Sequence, residues 1–451
     1  MADEVSTSGQ AMLNSLRAHF EKIPDFRNPL LIQIPLADFF MSAFAIFSLK
    51  MPSLLKLDEE RAHPSILPSL YKITRVPSDT QMRTVLDEVP PVMIRPMFKR
   101  LFVRAQRAKV LEQFKFLDEG YLVSADGSGY FFSDDVHCEH CLTKKNQETG
   151  KISYYHQMLT GAIVCPGKNL VVPFCPEPIK KQPGETANDS EQAAMERFID
   201  DFRREHPKLK VVLVTDALHA HGGFIRKLNI NNMSYILSVK PGSHEKLFEA
   251  LEKWETLKEF EILVIEEEIG DKIKKKRIHE FRFKNRVLLN HSTLDVAVNF
   301  LDYRESTQWV DRKGRLREQK RKFSWVTDIE LTKDNVFKIM RGGRSRWKIE
   351  NETFNTLKNQ GYEFEHNFGH GRKHLTDVFA FMMMLVFMFD QLSEASCKTF
   401  QAALKQRFGK RIRLWEKLRG LYECALKVES WRQFMEFIAY PETWRAQFNT
   451  S

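Results

Sequence analysis

The sequence predicts a mixed α/β fold flanked by helical regions, and three observations carry that prediction. Between about 116 and 240, short apolar runs follow one another closely and then alternate with amphipathic stretches, the order of hairpins first and crossovers after. The run "KVVLVTD" (210–216) is apolar on both faces, as a strand inside a sheet must be, and it ends on a carboxylate, Asp216. The run "VFAFMMMLVFMF" (378–389), bounded by Asp377 and Asp390, is shorter than the ~20 residues a membrane span needs, so a buried core helix is expected and no membrane association.

Bulk composition sets the frame. The 451 residues exceed one typical domain, and 43% hydrophobic with 12% aromatic content suits a folded chain with a large core. The formal net charge is +10, with basic clusters at "KIKKKR" (272–277) and "RKGRLREQKRK" (312–322), so polyanions are the natural partners. The opening "MADEVSTSGQAML" lacks the basic-then-apolar order of a secretory signal, and the 6 cysteines are expected as reduced thiols in the cytoplasm.

Taken in order, residues 1 to about 115 read as helical. "LADFFMSAFAIFSL" is a mostly apolar helix, "PSDTQMRTVLDEV" opens on Ser78 or Asp79 as an N-cap, and Lys99, Arg100, Arg104 and Arg107 make one basic stripe on the helix after it. Strands are predicted at 121–132, which contains Asp126, at 154–164 and at 170–179. A helix follows at 188–206, then a strand at 210–216, a short helix and a strand at 233–240. If the first and fourth strands are neighbours, Asp126 and Asp216 meet at one spot. Residues 256–306 alternate around a Gly270-Asp271 turn and read as a β-rich insertion. Helix returns over 332–361, with Gly342-Gly343 expected to break it, and a basic helical region closes the chain from 396 to 451.

The helix "RSRWKIENETFNTLK" supplies a third carboxylate. Arg346 and Glu350 lie four apart and share a face, whereas Glu352 is turned ~200° from Glu350 at ~100° per residue. Taken singly, Asp216 reads as a helix cap and Arg346 with Glu350 as a surface ion pair. Together, Asp126 in "SADGSGYF", Asp216 in "LVTDALHA" and Glu350 in "RWKIENETFNTLKNQGY" resemble the DDE triad of bacterial insertion-sequence transposases, in particular the group whose ribonuclease H-like domain is interrupted by a β-strand insertion. The resemblance spans roughly 115–395. It departs around the Glu, where that group's Tyr position holds Gly343 and its Lys position holds Leu357, with Lys358 one residue late.

The resemblance implies that residues 116–255 and 307–395 are two parts of a ribonuclease H-like domain and that residues 1–115 bind DNA ends. It implies Asp126, Asp216 and Glu350 as catalytic residues and ligands of Mg²⁺, for which Mn²⁺ can substitute. Three carboxylates suit that role, because hard divalent ions take oxygen ligands and two such ions can serve both the attacking and the leaving oxygen of a phosphodiester. The implied partners are transposon terminal inverted repeats and target DNA, engaged by a homodimer. Arg344, Arg346, Lys348 and Lys358 on the Glu helix, Arg372 and Lys373 after it, Lys274, Lys275 and Lys276 in the insertion, and Trp309 as a flipped-base contact are the candidate DNA-binding residues. The competing readings are a ribonuclease H-like DNA-binding protein that no longer cuts, and a nuclease without strand transfer.

Two further constellations stand apart. "HCEHC" sets Cys138 and Cys141 in CxxC spacing near His137, His140 and His156, but a second CxxC is absent, so a loop with free thiols is expected rather than a structural Zn²⁺ site. "EHNFGHGRKHL" carries His366, His370 and His374, but its glycines point to a loop entering the core helix at 375.

Overall fold

The computed structural model describes residues 7–59, 61, 66–117, 120–181, 187–270, 274–289, 295–311, 313–423 and 428–442. Asp271 of the expected turn, and Lys272 and Arg312 of the two basic clusters, lie outside them. Twelve strands join one mixed sheet: β1 Lys115–Phe116, β2 Gly120–Ser133, β3 Leu142–Lys145, β4 Ile152–Val164, β5 Val172–Pro173, β6 Glu177–Ile179, β7 Val211–Thr215, β8 Ser234–Ser238, β9 Glu261–Ile269, β10 Lys275–Leu288, β11 Ala297–Val310 and β12 Leu316–Thr327. The main path runs β3-β4-β2-β7-β8-β12-β11-β10-β9. Only β2–β7 and β7–β8 are parallel, and each is linked by a crossover containing a helix. This is the mixed α/β architecture the sequence predicts.

The expected third strand, 170–179, is instead two fragments, β5 and β6, both paired to β4. Pro173, Pro176 and Pro178 each lack a backbone N–H, so the segment cannot sustain a ladder. The insertion also reaches further than expected. Residue 306 falls inside β11, which pairs with β12 from Asn299↔Thr327 to Val310↔Leu316. β12 then pairs with β8, so the inserted strands extend the same sheet. β12 is exposed from Leu316 to Lys322 and buried from Ser324 onward, so its first half projects as an arm.

Among the helices of the described residues, those that bear on the site are α1 Gly9–Phe20, α2 Leu36–Ser48, α3 Asp79–Asp87, α4 Arg95–Arg107, α5 Glu191–Glu205, α6 Gly222–Ile230, α7 Val336–Arg344 and α8 Leu375–Ser396. Further helices include Glu245–Thr256 and, in the C-terminal region, Arg411–Glu423 and Trp431–Ala439. The expected N-cap Ser78 starts α3 and closes a capping box with Gln81. α2 is buried along its whole length and packs on α8, as helices apolar all round must. Phe44 meets Phe389 edge-on at 5.5 Å. By length and composition α8 is the one helix among the described residues that could cross a membrane, yet 94% of its most apolar window is buried inside the fold. Its Asp390 is buried with Lys50, Nζ to Oδ2 2.7 Å, and accepts from the Tyr362 hydroxyl at 2.6 Å.

The Gly342-Gly343 pair does not break α7, which continues through both residues. A Cβ on Gly342 would lie 2.7 Å from the Phe116 ring, and one on Gly343 would lie 2.5 Å from the Trp325 indole. The two glycines therefore let the helix lie directly on the sheet. The chain goes on as a 3₁₀ turn, Ser345–Trp347, and a π-helical segment, Ile349–Phe354, which packs against β2.

Candidate functional site

The parallel register of β2 and β7 ends with Val123↔Leu213 and Ser124↔Val214. Continued for two residues past its last pair, that register would set Asp126, in the middle of β2, opposite Asp216, where the fully buried β7 gives way to a half-buried carboxylate. Asp216 is also a cap: its Oδ1 accepts from Leu218 N at 2.9 Å. The cap and the side-by-side placement coexist, because the cap uses one carboxylate oxygen.

Arg346 connects the third carboxylate to this point. Its Nη1 lies 3.1 Å from Glu350 Oε1 and 3.4 Å from Asp126 Oδ2. The backbone is tethered too, since the Ser124 hydroxyl donates to Arg346 O at 3.0 Å. Glu352 faces elsewhere: its charged neighbours are Lys348, Arg411 and Glu394, and burial raises its pKa. The separation of the two glutamates expected for an α-helix therefore survives the change to π geometry.

A fourth carboxylate, Glu191, enters from the first residue of α5. A Cβ on Gly127 would lie 2.6 Å from Glu191 Oε2, so the glycine after Asp126 is what lets this side chain approach. Glu191 Oε1 lies 3.7 Å from Nε2 of the buried His219. Burial, and next the Glu191 charge, push the Asp126 carboxyl up to about 7 against the opposing effect of Arg346. One guanidinium among the three carboxylates Asp126, Glu191 and Glu350 leaves an excess of hard oxygen donors and negative charge, with Asp216 at the end of the neighbouring strand. That donor set fits a divalent cation such as Mg²⁺ or Mn²⁺.

The other candidate residues divide by surroundings. Arg344, Arg346 and Trp347, with Arg321, line a groove of about 310 Å³ beside the carboxylates. Arg344 is held by Glu305 at 2.9 Å and lies over the Phe323 ring at 5.1 Å. Lys348 donates to Lys168 O at 2.5 Å, and Lys358 pairs with Glu365 at 2.8 Å. Lys373 pairs with Glu88, while Arg372 is exposed on the same loop. In the insertion, Lys276 pairs with Glu266 at 2.8 Å, Lys274 lies 3.7 Å from Glu268, and Lys275 sits over the Trp309 ring at 4.8 Å. The lysine cluster thus faces the acidic strand β9. Trp309 is half-buried at the far end of β11, and the exposed indole in the groove with Arg344 and Arg346 is Trp347.

The basic stripe of α4 is more open. Lys99, Arg100, Arg104 and Arg107 line a groove of about 340 Å³ together with Ser15 and His19 of α1. The cysteines of the CxxC turn approach His156 and His370, whereas His137 stacks on Tyr154 and His140 lies parallel to His374. No family model and no curated protein matches the chain.

Proposed function

We propose that this chain is a metal-dependent DNA transposase of the DDE class, with the sheet from β2 to β8 as a ribonuclease H-like catalytic domain and β9–β12 as its insertion. One observation supports this reading most: Arg346 reaches both Asp126 and Glu350, and the β2–β7 register, extended two residues past Ser124↔Val214, would bring Asp216 opposite Asp126. Asp126, Asp216 and Glu350 would hold Mg²⁺ or Mn²⁺, which when bound activates the attacking oxygen and stabilises the leaving one at a phosphodiester. The neighbouring residues then have defined tasks. Arg346, within reach of Asp126 and Glu350, would bind the scissile phosphate. Glu191 adds negative charge behind Asp126. Trp347 offers a flat apolar face for a base next to Arg344 and Arg346.

DNA is the partner, along the groove at Trp347 and the basic groove of α4, with transposon ends and target held by a homodimer in the cytoplasm. The test uses duplexes taken from the DNA flanking the gene. With Mg²⁺, full-length protein should cleave at the element's ends and join a pre-cleaved 3′-hydroxyl end to a second duplex. Cleavage without joining would mean a nuclease, and end binding without either would mean a non-catalytic DNA-binding protein.

A further inference from the structure

We propose that Cys138, Cys141, His156 and His370 form a structural Zn²⁺ site that clamps the loop after the Glu350 segment to the sheet. Their four ligand atoms lie within 4.8 Å of one another. The separations are 3.8 Å between the two sulfurs, 3.6 Å from Cys138 Sγ and 3.2 Å from Cys141 Sγ to His156 Nε2, and 3.4 Å from Cys141 Sγ to His370 Nε2. A tetrahedron with Zn–S of about 2.3 Å and Zn–N of about 2.0–2.1 Å has S···S edges of about 3.8 Å and S···N edges of about 3.5 Å. All four separations lie close to those edges.

The imidazoles are oriented for the same purpose. His370 Nδ1 lies 3.0 Å from Gly371 O, which requires the proton on Nδ1 and turns the Nε2 lone pair toward the sulfurs. His156 Nδ1 faces Asp377 Oδ1 at 3.5 Å, a carboxylate–histidine arrangement that orients a metal ligand from behind. Asp377 is itself held by the Tyr130 hydroxyl at 2.6 Å and Lys180 Nζ at 3.0 Å. Cys138 N also donates to Cys141 Sγ at 3.4 Å. Three of the four residues are buried, and the Phe131 ring covers His370 at 4.3 Å.

Two thiolate and two imidazole donors select Zn²⁺ over Mg²⁺, so this site is chemically separate from the carboxylates. On binding, each thiol loses its proton to solvent, and two thiolates with one Zn²⁺ make a neutral core. Four protein ligands leave no open position, which defines a structural rather than a catalytic ion. Cys141 and His370 are 229 residues apart in sequence, so the ion would join the β2–β3 turn and β4 to the loop that enters α8. The proposal does not depend on the reaction assigned to the carboxylates.

The experiment measures zinc in full-length protein purified under reducing conditions, without a metal-binding tag, from cells supplied with zinc. About one Zn²⁺ per chain is expected. C141S and H370A should each lose nearly all of it, whereas H137A and H140A should keep it. Cobalt substituted into the wild-type chain should show intense tetrahedral d–d bands and a thiolate-to-cobalt charge-transfer band, a readout that needs no variant to fold. Wild-type protein with far less than one zinc and no such bands would overturn the proposal. Zinc retained by soluble H370A, or lost from soluble H137A, would also overturn the assignment.

Discussion

Asp126 lies on β2 opposite Thr160 of β4, and His156 lies on β4 opposite Phe131 of β2, yet the carboxylate cluster and the thiol–imidazole cluster built around them follow opposite principles. Around Asp126 the donors are hard oxygens, three carboxylates to one guanidinium, and Glu350 is exposed at the surface. Around Cys141 the donors are soft, number two sulfurs and two nitrogens, and are enclosed with their outer hydrogen bonds made. The first arrangement carries excess negative charge and opens to solvent at Glu350. The second closes on itself. The two clusters thus differ in charge balance and exposure as well as in residue type.

The largest expected effect breaks the closed cluster. Cys141→Ser should lower the melting temperature by many degrees, because the binding energy of a structural zinc is folding energy, whereas removing Mg²⁺ from the carboxylates should leave the fold intact. Calorimetry of wild type with and without a mild chelator, beside Cys141→Ser, checks this. Equal melting temperatures would place both clusters in the same class. Asp377→Asn sharpens the point. It should keep the four ligands yet weaken zinc affinity by about 10–100-fold in a competition titration.

Next in size is the choice between glutamates. Glu350→Gln should reduce end cleavage by about 10²-fold or more, the scale of losing a group that acts on the reacting atoms, and Glu352→Gln should stay near wild type. The opposite pattern would turn the catalytic face toward Arg411 and detach Arg346 from the site.

A pH effect follows from the raised Asp126 carboxyl. Between the ordinary carboxylate range near pH 4 and about 7, the folded chain keeps a proton that the unfolded chain has released, so stability falls as pH rises through that window. Glu191→Gln removes one cause of the shift. It should lower the Asp126 titration and stabilise the protein by about 1 kcal/mol above pH 7, read by denaturant unfolding at pH 5 and pH 8. Mg²⁺ should act in the same direction by favouring the ionised carboxylate. A variant whose stability tracks wild type at both pH values would remove Glu191 from the cluster.

The smallest effect separates two basic regions. Across the β9–β10 hairpin Lys276 pairs with Glu266 and Lys274 lies 3.7 Å from Glu268, while Lys275 sits over Trp309, so replacing all three with alanine should change the salt slope of DNA binding by less than about one contact's worth. Replacing Lys99, Arg100 and Arg107 on α4 should flatten it by about two to three. DNA titrations at several salt concentrations give both slopes, and the reverse ranking would move the DNA path to the insertion.

What the sequence made legible here is what depends on local spacing. The buried strand ending on Asp216, the strand holding Asp126 and the four-residue step from Arg346 to Glu350 all occur where the pattern puts them. What it hid depends on close approach between distant segments. Glu191 looks like an ordinary helix start until Gly127 admits it, and His370 joins a CxxC turn 229 residues from Cys141. Gly342-Gly343 carries the breaker signal, but packing against Phe116 and Trp325 requires the missing Cβ atoms and keeps the helix going. The hairpin charge balance was readable, since "EEE" at 266–268 and "KKK" at 274–276 flank the turn at Gly270.

The most direct test of the central claim is Mg²⁺-dependent cleavage of a duplex carrying the element's end by wild type and by Asp126→Ala, Asp216→Ala and Glu350→Ala, with DNA binding measured in parallel. The three carboxylates acting together predict that each variant binds the duplex nearly as well as wild type and cuts it at least about 10²–10³-fold more slowly. An Asp216→Ala protein that cuts near the wild-type rate would contradict the site, leaving Asp216 as the helix cap its bond to Leu218 already makes it.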